Sequence, residues 1–137
     1  MVHIDLNAPD PRLTPGVDLW EIRECNRKDS RGGTPMLALK LARVSDPTQH
    51  MYDNIMLAGG GWGIGKRKLG AFLPADFAGE FDPLDLIGTQ VWVETEIQTY
   101  EGKDRLAVNV NGLKHGGYQR ADDPPAGKTI DEDSVPF

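Results

Sequence analysis

Residues 59–74 read GGGWGIGKRKLGAFLP: a glycine run, then a segment in which Ile64, Leu69, Phe72 and Leu73 fall roughly on one side while Lys66 and Arg67 point away, then a terminating proline. This spacing predicts one short helix. The surrounding chain reads as strand, so the position of this helix in the strand order decides the architecture. The same stretch holds part of a phosphate-binding loop pattern, GxxxxGK, at Gly60, Gly65 and Lys66. The next residue is Arg67, where such a loop needs Ser or Thr to hold magnesium, and no alternating α/β pattern supplies the buried parallel strand it follows. A nucleotide hydrolase is therefore excluded.

Upstream, three strands are expected. Val17 to Asn26 is the first, with Val17, Leu19, Trp20 and Ile22 changing parity partway, as a bulge would produce. In the second, from Met36 to Val44, Leu37, Leu39 and Leu41 alternate with Ala38, Lys40 and Ala42. In the third, from His50 to Ala58, Ile55 and Leu57 oppose Tyr52, Asn54 and Met56. Downstream, after the glycine- and proline-punctuated connection at 75–88, comes the clearest hairpin. Val91, Val93, Thr95, Ile97 and Thr99 alternate with Trp92, Glu94, Glu96, Gln98 and Tyr100, the turn is Glu101-Gly102-Lys103-Asp104, and Leu106, Val108 and Val110 return.

Three strands, a helix and two strands is the order of the oligonucleotide-binding (OB) fold. The expectation is thus an all-β protein: a five-stranded OB-fold barrel with one short helix between strands three and four, followed by a disordered acidic C-terminal tail. A ubiquitin-like or SH3-like small barrel is the alternative. The implied divisions are an extended, proline-bearing lead-in over 1–16, the barrel over 17–116 and the tail over 117–137. A body of this size supports one core.

The formal net charge is −6, and residues 121–137 hold five acids and one lysine, so the body stands near −2. A polyanion would have to be held by local basic clusters and by stacking, since the overall field does not attract it. One cysteine, Cys25, cannot form an internal disulfide and fits a reduced cytoplasmic compartment. No signal sequence or apolar run of membrane-crossing length is present, so no membrane partner is expected.

In an OB barrel the ligand crosses strands two and three between the first and last hairpin loops. Here Arg27, Lys28 and Arg31 lie at the first loop, and Tyr100, Lys103 and Arg105 at the last. The two loops are expected to converge on one cleft. Lys40, Arg43 and Tyr52 on the outward face would extend the track, with cations on phosphates and the tyrosine under a base. Trp92, opposite Val91 and Val93 in parity, is expected outward, to stack a base or fill a subunit interface. Trp62, with Lys66 and Arg67 nearby, is a further candidate, and Trp20 is assigned to the core. His3, His50 and His115 are isolated, so neither a metal nor a cofactor is expected, and Glu94 and Glu96 lack the partners of a catalytic pair.

The chain ends Asp131-Glu132-Asp133-Ser134-Val135-Pro136-Phe137. With three prolines, five acids and no apolar periodicity from Ala121 onward, this predicts a mobile tail. A terminal aromatic on a polar tail is a liability unless an apolar pocket on a partner receives it. The ending resembles the acidic tip of the single-stranded DNA-binding proteins of bacteria and their phages, in which an acidic run closes on an apolar residue, proline and phenylalanine. Asp131, Glu132 and Asp133 stand for the acidic run, Val135 for the apolar position, and Pro136 and Phe137 for the tip. Ser134 interrupts the charge. The resemblance implies a non-enzymatic protein that coats single-stranded DNA with little sequence preference, in a bacterial cell or phage-infected host. It also implies a homo-oligomer that recruits replication, recombination and repair proteins through the tip. A small β-barrel adaptor that touches no nucleic acid is the rival, modestly favoured by the net charge.

Overall fold

The computed structural model describes residues 14–74 and 76–125. The expected tip residues Asp131, Glu132, Asp133, Val135, Pro136 and Phe137 lie outside that range, as does most of the lead-in. The described chain is mainly β, in the order β1 (Gly16–Asp29), β2 (Pro35–Arg43), β3 (His50–Met56), α1 (Trp62–Leu69), β4 (Gln90–Tyr100), β5 (Lys103–Val108) and β6 (Tyr118–Arg120). One antiparallel sheet of six strands runs β3-β2-β1-β4-β5, with β6 paired to β4.

The alternating leucines of β2 place Leu37, Leu39 and Leu41 in the core against Met51 and Ile55 of β3. On β1 the pairing with β2 shifts between Ile22 and Glu24. This bulge is the expected parity change, and it lets Trp20, Ile22 and then Cys25 all face inward, each fully buried. Burial raises the Cys25 thiol pKa, so it is unreactive packing. Val91 and Val93 of β4 complete the core.

Three features differ from the sequence expectation. First, the sheet is not closed into a barrel. Both β3 and β5 run parallel to β1, yet no ladder joins them among the described residues. β5 ends at Val108 and the chain turns away, so the two strand edges part around a cleft of about 840 Å³. Second, the folded body does not end at 116. Gly116 and Gly117 adopt positive φ of 59° and 95°, a tight turn that a side chain would strain, and this turn feeds β6. Tyr118 is fully buried. The glycines read as the start of a tail are the bend into the last strand. Third, α1 packs through Gly65, Lys68 and Leu69, leaving Ile64 exposed. A Cβ on Gly65 would lie 1.8 Å from the Met56 carbonyl oxygen, so only glycine lets the helix sit this close to β3.

Arg43 and Trp92, both expected outward, are buried. Arg43 donates from Nε to Asp18 Oδ2 at 2.7 Å, and from its other nitrogens to the Thr14 hydroxyl, the Thr14 carbonyl and Gln49 Oε1. Its guanidinium lies 5.4 Å from the centroid of the Trp20 ring. It ties the start of β1 to the end of β2. Trp92 does alternate with Val91 and Val93, but the chain leaving β6 covers it, and its Nε1 donates to the Ala121 carbonyl at 3.3 Å.

Burial opposes ionisation of Asp18, but the hydrogen bond and charge of Arg43, with the Leu19 N–H and Ser45 hydroxyl, hold its carboxyl below the ordinary range. The stability this gives is present above about pH 4 and is lost as pH falls through the lowered value. Asp18→Asn should therefore flatten the acid limb of a melting-temperature profile, and Arg43→Ala should cost about 3 kcal/mol in denaturant titration at neutral pH. Gly65→Ala should cost a similar amount, about 3 kcal/mol, since a backbone atom stands in the way.

Candidate nucleic-acid interface

Alternation on β1, β2 and β3 sends one side-chain set to the core and the other to the surface, where register aligns it in rows. Glu24, Lys40 and Tyr52 form one row, Asn26, Ala38 and Asn54 the next, and Lys28, Met36 and Met56 the third. Tyr52 is 70% exposed, an aromatic held in water at the centre of a strand. Lys40 lies 3.7 Å from Glu24 across the strands, a half-exposed pair that contributes little to stability and that a phosphate could replace. This face combines cations, amides and an exposed ring, the groups that hold a single strand by phosphate contact and stacking.

Tyr52 also lines the cleft between β3 and β5, so the face and the cleft are continuous. On the far side of the cleft the β4–β5 hairpin presents Gln98 and Arg105, which pair across the strands, next to Tyr100 and Lys103. The Arg105 guanidinium lies 5.4 Å from the centroid of the Tyr100 ring, and Tyr100 is 61% exposed. That pairing presents a flat cationic and aromatic surface.

Of the sequence candidates, Lys28, Lys40 and Tyr52 share the three-strand face, and Tyr100, Lys103 and Arg105 share the second hairpin. Arg27 and Lys28 belong to β1 itself, which runs on to Asp29; only Arg31 lies in the turn. Arg27 is 3.4 Å from Asp29, both exposed. β1 and β4 pair antiparallel from Gly16 beside Thr95 to Glu21 beside Gln90, upstream of the β1 bulge. Trp62, 40% exposed, starts α1, where a Cβ on the preceding Gly61 would meet the Met56 side chain, so the helix start abuts the Met36–Met56 row. Lys66 and Arg67 are exposed on α1. Arg43 and Trp92 are withdrawn into the fold, as described above.

Sequence reasoning missed what stands behind this face. Asp53 has the inward parity of Met51 and Ile55, and its Oδ2 accepts from Lys68 Nζ at 2.8 Å and from the Tyr118 hydroxyl at 2.6 Å. Lys68 Nζ also donates to the Asn54 carbonyl at 3.3 Å. Lys68 is 4% exposed and Tyr118 fully buried, so β3, α1 and β6 meet on one carboxylate directly behind Tyr52. The available signal was the acid at an inward strand position, which demands buried partners. Glu94 accepts from Asn109 Nδ2 at 3.0 Å and anchors the excursion between β5 and β6.

No group of three or more His, Cys, Asp or Glu among the described residues could hold a metal ion, and no helix among them is long and apolar enough to cross a membrane. No protein-family model matches the chain, and no curated protein matches it.

Burial, and then Asp53 beside it, push the Tyr118 hydroxyl well above the ordinary tyrosine value. The neutral phenol is favoured in the fold, so this contribution is complete below about pH 10 and is lost as pH rises beyond it. Tyr118→Phe should cost about 2 kcal/mol at neutral pH and flatten the alkaline limb of the stability profile.

Proposed function

We propose that the chain is a non-enzymatic single-stranded DNA-binding protein of OB type that coats the strand with little overall sequence preference. Through its C-terminal tip it recruits replication, recombination and repair proteins. The observation that carries this reading is the three-strand face with Tyr52 at its centre, open to water and continuous with the cleft. The strand order supports it as well. The order β3-β2-β1-β4-β5 with a helix between β3 and β4 is compatible with an OB topology, a fold whose strands two and three bind oligonucleotides. Lys28, Lys40, Lys103 and Arg105 take phosphates along the track, and Tyr52 and Tyr100 stack bases.

The terminal sequence supplies the second half of the reading. Asp131, Glu132 and Asp133 meet basic groups on a partner while Val135, Pro136 and Phe137 enter its apolar pocket. The same acids compete with DNA for the track. Assembly as a homo-oligomer places several tracks on one strand and adds avidity.

Fluorescence anisotropy with a mixed-sequence single-stranded oligonucleotide, with duplex as control, tests the reading. Intact protein should bind the single strand, more weakly as salt rises, and ignore the duplex. Tyr52→Ala should weaken binding roughly tenfold while leaving the circular dichroism unchanged. Removing residues 126–137, which lie outside the described residues, should tighten binding at low salt. No binding by either the intact or the shortened protein at low salt would leave the adaptor reading in its place.

A further inference from the structure

The cleft between β3 and β5 differs from the three-strand face in chemistry. Its cation is Arg105, at the rim with Tyr52, whereas two carboxylates, Asp53 and Asp104, line it. A phosphate entering the cleft would meet negative charge. Its volume, about 840 Å³, is in the range that encloses a small organic ligand. Along a bound strand, phosphates follow the lysines and bases turn toward whatever accepts them.

Asp53 is unusually placed to accept. Lys68 and Tyr118 both take Oδ2, and among the described residues no hydrogen bond engages Oδ1. These two partners also fix the carboxylate, so it is held beside the cleft without a rotamer search. An oriented carboxylate accepts hydrogen bonds only. Cytosine and adenine present exocyclic amino donors, whereas thymine presents carbonyl O4 at the position of the cytosine amine and a methyl group on the neighbouring ring carbon. Thymine O4 would face a second acceptor.

We propose, resting on the single-stranded DNA reading, that the β3–β5 cleft is a base-reading subsite of the track, in which Asp53 favours bases carrying an exocyclic amino group over thymine. Tyr52 and Arg105 form its walls, and the rest of the track stays indifferent to sequence. The preference is confined to the nucleotide or two that the cleft receives.

The test compares oligocytidine and oligothymidine of equal length with the full chain, at about pH 8 so that cytosine stays neutral, by competition against one labelled strand. The quantity read is the cytosine-to-thymine affinity ratio. Asp53→Asn turns the acceptor into a group that also donates to O4, and the ratio should fall roughly three- to tenfold. Because Asp53 also holds Lys68 and Tyr118, a second variant leaves it in place. Ala107→Phe, on the β5 side of the cleft, fills the space and should lower the ratio by a similar factor while single-strand binding persists. If Asp53→Asn does not fold, Ala107→Phe decides alone. A ratio unchanged in the folded variants overturns the base-reading subsite and leaves the DNA-binding reading intact. Absence of binding to either strand by the wild-type chain overturns both.

Discussion

One carboxylate holds the structure together. Asp53 sits at an inward position of β3 and is shared by an ammonium from α1 and a phenol from β6, elements that do not pair with β3 in the sheet. An unpaired carboxylate buried there would be costly, and so would a lysine that is 4% exposed. Each group is tolerable only because the others are present. The requirement fixes where the helix lies, where the last strand begins, and how the edge strand β3 stays in place although no strand among the described residues pairs with its outer side.

The candidate interface follows from that arrangement. An edge strand with no partner would normally fray, and the residues facing out of it would have no defined position. Here Tyr52 and Asn54 flank Asp53 in sequence, so a strand pinned from behind presents its outer side chains at fixed places. Gly65 contributes in the same way, since its missing side chain brings α1 against the end of β3. Rigidity behind the surface allows an open seam in front of it.

Much of this was legible in the chain. The leucine alternation of β2 and the long alternating run of β4 identified their strands and core faces, and the parity change in β1 identified its bulge. The helix between β3 and β4 was legible because glycine and proline bracket it. Burial of Arg43 was not legible, because its partners Asp18, Thr14 and Gln49 come from other elements, and an isolated basic residue in a strand looks like a surface cation. Trp92 had the right parity and the wrong environment, since alternation says which way a side chain points and nothing about what later folds over it. Antiparallel pairing of β1 with β4 is a long-range fact, and local periodicity carries no information about it.

The distance along the chain between Asp53 and Tyr118, 65 residues, has a consequence for how the molecule comes into being. A chain made from its N-terminus can assemble β1, β2 and β3 and dock α1 while the final strand is still unmade. Until Tyr118 arrives, Asp53 and Lys68 face an incompletely filled interior, and the outer edge of β4 beside Val91 and Val93 is bare. Contacts so remote in sequence close late and slowly. The nascent body therefore passes through a state with an exposed strand edge, the form most prone to pairing with another chain. Completion depends on a three-residue strand, Tyr118–Arg120, that precedes the acidic terminus almost directly.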